Sequence, residues 1–215
     1  MTTKSDLDPE LHLDPELVGA LRAAVDDLPP EAGRRMHERL AERAEGEGIL
    51  DVAYRVLDSP FGPLLLAATA AGLVRVGFEV EGHDLVLARI AELVSPRILE
   101  VPDRLDQAAS QLDEYFAGRR RRFELRLDLR LARGFRLQVL EHLPAIAYGT
   151  TESYATVAAA AGRPTAVRAA AGACSHNPLP LVIPCHRVVR SDGSLGGYLG
   201  GTQVKRTLLE LEAAR

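Results

Sequence analysis

Tryptophan is absent from this 215-residue chain, and cysteine and methionine occur twice each. Two cysteines, Cys174 and Cys185, exclude a disulfide framework and a four-cysteine zinc site. No run approaches the roughly 20 consecutive apolar residues that a membrane span requires, so no membrane partner is expected. The first residues, Met1 to Asp6, lack the apolar stretch of a signal peptide, which makes a cytoplasmic location the expectation. Lysine is also scarce. Of 26 basic residues only Lys4 and Lys205 are lysine, and with the abundant alanine this implies a G+C-rich, bacterial source.

What is present reads as a folded, soluble protein: 47% of residues are apolar and 26% charged. The net charge of −4 is unevenly spread. Residues 1–132 carry 17 basic and 25 acidic side chains, a balance of −8, whereas residues 133–215 carry 9 and 5, a balance of +4. A basic C-terminal part behind an acidic N-terminal part can offer one face to a polyanion.

Three regions follow. Residues 1–50 form a helical N-terminal extension. Leu17, Val18, Leu21 and Val25 recur at helical spacing behind Asp14-Pro15, and a second helix starts near Glu31 and fades at Gly46. Residues 51–130 form an α+β unit. Val52–Leu57, Leu64–Thr69 and Leu73–Phe78 read as strands of an antiparallel sheet. Helices follow at about His83–Val94 and Arg104–Ala117, then an alternating strand at Phe123–Leu127. The four arginines Arg119–Arg122 read as a solvated loop. In residues 131–215 helices dominate. One opens at Phe135, a short one covers Val157–Ala161, a third covers Ala166–Ala173, and a last covers Val204–Ala213 behind a glycine-rich loop.

Chemistry concentrates at Cys185, which follows an apolar run and Pro184 and precedes His186 and Arg187. A thiol becomes a nucleophile as the thiolate, which neighbouring bases and cations favour. A Cys-His dipeptide alone is weak evidence, because buried cysteines are common and usually inert. Cys174, His176, Cys185 and His186 offer four soft ligands, but their spacing fits no usual zinc knuckle. A Cys174–Cys185 disulfide would quench the thiol.

The stretch Asn177-Pro178-Leu179-Pro180-Leu181-Val182-Ile183-Pro184-Cys185-His186-Arg187-Val188-Val189 resembles the active-site signature of the O6-alkylguanine-DNA alkyltransferases, the methylated-DNA–protein-cysteine methyltransferases. Upstream, Tyr148-Gly149, Ser153-Tyr154, Gly162-Arg163-Pro164 and Val167-Arg168-Ala169 continue the likeness. Downstream, Gly197-Tyr198, Gly200-Gly201, Val204-Lys205, Leu208-Leu209 and Glu212 do so. A weaker likeness covers Ser59–Leu64 and Leu112–Gly118. The resemblance implies an α+β fold: a ribonuclease-H-like domain, then a mostly helical, winged-helix-like (helix-turn-helix) DNA-binding catalytic domain. It implies direct-reversal repair, in which a methyl or other alkyl group moves once from O6 of guanine to the protein's own cysteine, with O4 of thymine a second candidate. The runner-up is a non-catalytic sensor of alkylated DNA. Sensors of that kind lack the cysteine, so Cys185 discriminates against it. A third reading, a cysteine hydrolase, would turn over many times and need an oxyanion hole, which the sequence does not locate.

The roles that the resemblance implies can be given residue by residue. Cys185 accepts the alkyl group, His186 is its base through a water, and Glu212 orients His186. Tyr154 donates toward N3 of the departing guanine. Asn177 ties the turn between the recognition helix and the active-site strand. Pro180, Val188, Tyr198, Leu199 and Gly200 line the substrate pocket, Val188 through backbone polar groups and Gly200 by leaving room for the alkyl group. The partner is double-stranded DNA containing O6-alkylguanine, bound by a monomer in the minor groove with the base flipped out. Arg168 is the finger that fills the vacated stack, and Arg163, Ala169 and Ala171 share the DNA-binding helix region. Three departures from the family pattern stand out: Ala171 where glycine is usual, Leu199 where a small or hydroxylated residue is common, and Thr207 for a frequent tryptophan. The zinc ligands of some members' N-terminal domains are missing, so no metal and no other cofactor is expected.

Overall fold

The computed structural model describes residues 29–214. Two compact units divide the chain at Glu47/Gly48. In the first, helix α1 (Pro30–Gly46) is described, with Ala41 and Ala44 buried on one side. The expected helix around Leu17–Val25 lies outside the described residues. No described helix is long and apolar enough to cross a membrane.

The second unit opens with strands β1 (Val52–Leu57), β2 (Leu64–Thr69) and β3 (Gly72–Phe78), paired antiparallel in sequence order. A fourth strand, β4 (Ile98–Glu100), was not expected. It pairs parallel with β1 and gives the order β3-β2-β1-β4, so the sheet is mixed rather than antiparallel. Three residues are too few to show periodicity. The return needed for a parallel pair runs through helix α2 (His83–Leu93).

Every residue of β2 is buried, because both faces of the sheet are covered. Leu65 and Ala67 join Val52, Val74 and the α2 residues Val86 and Ile90 in a small core. Leu64, Leu66 and Ala68 enter a larger one. That larger core runs through helix α3 (Asp106–Phe116) and continues to Leu208 in the last helix. An unbroken apolar strand is the signature of a sheet covered on both sides.

Phe123–Leu127 corrects a second expectation. It is extended, with Phe123, Leu125 and Leu127 packed on the large core, but it forms only a single bridge, Leu73 to Leu127. Alternation reports which side chains are buried and says nothing of a ladder partner. At the bridge Gly72 (φ +145°) lies so close that a Cβ there would meet the Arg126 carbonyl oxygen at 2.2 Å.

The remaining elements are helix α4 (Phe135–His142), strand β5 (Glu152–Ser153), helices α5 (Tyr154–Ala160) and α6 (Val167–Ser175), strand β6 (Val188–Val189) and helix α7 (Thr202–Ala213). Ser153 caps α5 by accepting from the Thr156 N–H at 3.0 Å. Gly162, at φ +79°, lets the chain turn from α5 toward α6, the helix-turn-helix pair. The sheet also holds the loop behind α6. The Val76 N–H donates to the Pro178 carbonyl at 2.9 Å, and Phe78 packs edge-on against Tyr198 with centroids 5.6 Å apart.

Candidate active site

Cys185 opens a 3₁₀ turn, Cys185–Arg187, rather than lying on a strand. The chain reaches it through a tight loop after α6. Leu181 is the only described non-glycine residue with positive φ (+73°), a conformation held by its near-complete burial. Asn177 pins this loop with three bonds. Its Oδ1 accepts from the Leu179 N–H at 3.0 Å, and its Nδ2 donates to the Ile183 carbonyl at 2.9 Å and to Cys185 Sγ at 3.1 Å. Asn177 therefore touches the Cys185 sulfur itself as well as the turn.

Burial pushes the Cys185 thiol up to about 11, against the lowering effect of the Asn177 bond and the nearby Lys205 charge. The resting residue is a protonated thiol, and it needs a base.

His186 is fully buried, and its Nε2 lies 2.9 Å from Glu212 Oε1. Burial lowers the imidazole below its ordinary value despite the carboxylate beside it, so the ring rests neutral. Burial raises the Glu212 carboxyl, but hydrogen bonds from His186, Arg187 and Tyr115 outweigh this and hold it well below the usual carboxylate range. An ionised carboxylate only accepts, so the imidazole hydrogen sits on Nε2. His186 Nδ1 is then a bare lone pair, and among the described residues this buried atom has no hydrogen-bond partner. Nδ1 is thus the ring nitrogen left free to accept a proton.

Glu212 is held more heavily than the sequence reading foresaw. Oε1 accepts from Tyr115 Oη at 2.7 Å and Arg187 Nη2 at 2.9 Å. Oε2 accepts from Arg187 Nε at 2.8 Å and the Gly149 N–H at 3.2 Å. Arg187 Nη1 also donates to the Ile146 carbonyl at 2.7 Å. Burial and the adjacent Glu212 push the Tyr115 phenol far above its ordinary value, so it stays a donor.

Tyr154 begins α5, and burial pushes its phenol up to about 12. The buried Lys205 has its Nζ 5.7 Å from the Tyr154 ring centroid and donates to the Val188 carbonyl at 2.5 Å. Val188 keeps one carbonyl lone pair for another donor. A Cβ on Gly196 would fall 2.1 Å from Tyr154 Oη, so glycine there is a steric requirement. Tyr154, Ala171, Gly172, Ser175, Arg190, Gly196 and Gly197 line a cavity of about 240 Å³.

The structure brings Cys185, Asn177, His186, Glu212, Tyr154 and Tyr198 into one neighbourhood; His186 and Tyr198 meet edge-on at 6.3 Å. Pro180 is buried within the loop that leads to Cys185. Arg163, Arg168 and Ala169 are exposed at the turn and first residues of α6. Ala171 is half-buried on the cavity wall rather than on the outer face. Pro180, Val188, Tyr198, Leu199 and Gly200, expected along the substrate pocket, are absent from the lining of this cavity, as is Cys185. Leu199 lines a different cleft, with Arg75, Leu85, Arg136 and Pro178. At Gly200 a Cβ would meet the Phe78 ring at 2.9 Å, so its smallness serves packing between the two halves of the unit.

Sequence reading missed the roles of Tyr115, Arg187, Lys205 and Gly196. Lys205 is one of only two lysines among 26 basic residues, but nothing in its spacing marked it as buried. Among the described residues no group of three or more His, Cys, Asp or Glu can hold a metal ion.

Residues 52–129 match the family described as 6-O-methylguanine DNA methyltransferase, ribonuclease-like domain, and residues 134–214 match its DNA binding domain. A methylated-DNA–protein-cysteine methyltransferase of Mycobacterium tuberculosis is 40% identical over 170 residues, 76% of this chain and 94% of the relative. A protein of the same name from Methanosarcina barkeri is 36% identical over 159 residues, 74% of this chain and 96% of the relative. The crystal structure of the M. tuberculosis O6-methylguanine methyltransferase superposes with a TM-score of 0.68 at 38% identity, covering 76% of this chain and 94% of that one. An M. tuberculosis relative solved in complex with DNA superposes at 0.65 and 39% identity, covering 75% and 93%.

Proposed function

The chain belongs to the 6-O-methylguanine DNA methyltransferase family, and from that premise we propose how its own residues perform the repair. The protein is a DNA-repair enzyme that reverses alkylation directly, moving the alkyl group from DNA to a cysteine. Cys185 is that acceptor. The observation that carries this reading is the thiol hydrogen-bonded by Asn177 Nδ2, next in sequence to a neutral His186 whose Nδ1 is free and whose Nε2 is locked to Glu212.

His186 Nδ1 takes the thiol proton through a water, and the sulfur attacks the alkyl carbon in line. A C–S bond forms, the C–O6 bond breaks, and its electron pair stays with guanine. Tyr154 hydrogen-bonds N3 of the departing base and keeps its own proton, and the guanine anion is neutralised by the one proton that the thiol gave up, returned from His186 through solvent. Glu212 steadies the imidazolium that forms in passing. Lys205 adds positive charge behind both sulfur and Tyr154. The thioether has no internal route back to a thiol, so each protein reacts once.

Cys185 is only 2% exposed, so a base stacked in a duplex cannot reach it. The damaged base therefore leaves the helix and enters by way of the cavity that Tyr154 lines, whose wall does not itself include Cys185. Arg168 fills the gap in the stack while α6 lies in the minor groove, where its exposed Ala169 permits close approach. Binding is sequence-tolerant and salt-sensitive. One chain supplies every residue of the relay and acts as a monomer, in the reducing cytoplasm where a free thiol survives.

The test is the intact protein mass after incubation with duplex containing O6-methylguanine. One methyl per protein, located on Cys185 and lost in Cys185→Ser, is expected. Repeated turnover, or methyl on Cys174, refutes the assignment.

A further inference from the structure

The cavity beside Tyr154 has one basic residue among those that line it, Arg190, which the relay does not use. Arg190 follows β6 and starts a tight turn. Its N–H donates to the Ser194 carbonyl at 2.9 Å, and its carbonyl accepts from the Gly193 N–H at 2.9 Å, with Gly193 at φ +80°. Asp192 is the acid of this turn, and its Oδ1 is occupied by the Ser194 N–H at 2.9 Å and the Ser194 hydroxyl at 2.7 Å. The backbone under Arg190 is thus anchored. Its side chain is exposed and forms no ion pair within 4.0 Å among the described residues. The other titratable groups within electrostatic reach are Tyr154 and Lys205, both buried.

This inference rests on the reading that a flipped nucleotide enters the cavity. The cavity, about 240 Å³ and walled by Ala171, three glycines, Ser175 and Tyr154 besides Arg190, suits a planar base. The charged sugar-phosphate that carries the base stays outside, at the mouth. An exposed guanidinium acts weakly on groups deep in the site, because water screens it. It acts well on an anion that it can bond directly and in bidentate fashion. Lys205, buried behind Tyr154, already supplies the inner positive charge. We infer that Arg190 is a phosphate clamp: its guanidinium binds a backbone phosphate flanking the extrahelical nucleotide and holds the damaged base in the cavity.

The clamp differs from the finger role of Arg168 in one measurable way. A finger matters only where a duplex must be held open, whereas a phosphate clamp matters for any strand. Single-turnover rate constants, kinact/K, are measured for wild type, Arg190→Ala and Arg190→Lys. The substrates are O6-methylguanine in duplex, in single-stranded oligonucleotide and as the free base. Arg190→Ala should lose about tenfold on both oligonucleotides, the size of one charge-assisted contact at an exposed site. It should stay within about twofold of wild type on the free base, and its salt slope should fall by about one unit. Arg190→Lys should recover part of the loss.

Neutral methylphosphonates placed one at a time on either side of the lesion then locate the contact. At one position the wild type should lose about as much as Arg190→Ala does, and the variant should lose little more. A wild type that reacts while Arg190→Ala reacts equally fast on oligonucleotides overturns the clamp. So does an equal loss on free base, or losses at every methylphosphonate position that multiply with the substitution. A wild type that transfers no methyl from any substrate overturns the alkyl-transfer reading beneath it, a different and recognisable result.

Discussion

Replacing Glu212 with glutamine separates what this carboxylate does for the fold from what it does for the thiol. Glu212 is 2% exposed and accepts from His186, Tyr115, Gly149 and, twice, Arg187. Arg187 is 6% exposed and has no other carboxylate bonded to it among the described residues. Glu212→Gln leaves the guanidinium charge buried and unpaired, which costs about 3–5 kcal/mol. For a chain of this size about 2–4 °C of Tm accompanies each kcal/mol, so Tm should fall by roughly 6–20 °C. Removing both charges in Glu212→Gln/Arg187→Met abolishes the orphan and should restore most of that stability. It should not restore methyl transfer, because His186 still lacks the anion that fixes its tautomer and steadies its imidazolium.

The pH dependence has a definite sign. The Glu212 carboxyl is held well below its unfolded value, so its contribution is complete above the ordinary carboxylate range. It is lost as pH falls through that range toward the folded value. The stability gap between wild type and Glu212→Gln should therefore be constant near neutral pH and shrink below about pH 4. Thermal melts across pH, with single-turnover transfer on the same samples, give both readouts. A double variant no more stable than Glu212→Gln, or one that regains transfer, would show that the Arg187–Glu212 pair does not work as described.

Other outcomes follow from the same geometry. His186→Ala leaves the Cys185 thiol near its resting value of about 11, so transfer should rise almost tenfold per pH unit between about pH 7 and 10, more steeply than in wild type; an identical profile in both would remove His186 as the base. Combining His186→Ala with Glu212→Ala should be little slower than the worse single variant, because the two act as one unit; log-additive losses in folded proteins would dissolve the relay. Gly196→Ala puts a carbon 2.1 Å from Tyr154 Oη and should cost about 1–3 kcal/mol of stability along with most of the transfer rate, and full activity would place the reacting base elsewhere. Arg168→Ala should slow repair of duplex while sparing single strands and free base, and equal losses on all three would make Arg168 structural.

Local physics made much of this molecule readable in advance. β1, β2 and β3 announced themselves by apolar content and by turns at Gly62 and Gly72, and helices α3 to α7 by apolar spacing and by capping or breaking residues. Cys185, His186 and Asn177 were legible through the family resemblance, which a short continuous segment can carry because the three lie within one loop. The Asn177 bonds to Leu179, Ile183 and Cys185 span at most eight residues, so adjacency in sequence nearly enforces adjacency in space.

Contacts closed over long distances were not legible. Tyr115 and Glu212 are 97 residues apart, Gly149 and Glu212 are 63 apart, and the Phe78 ring that demands Gly200 comes from another part of the sheet. A hydrogen-bonding side chain carries no mark of its partner. Which donors meet Glu212, which glycine must yield to Tyr154, and whether Lys205 ends in solvent or beneath an aromatic ring all depend on how the sheet, α3 and α7 pack on one core. The residue types at the nucleophile were set by chemistry that a short segment can express. The charge state in which they wait, a protonated thiol beside a neutral imidazole and an ionised carboxylate, was decided by burial and by partners that only the tertiary structure assembles.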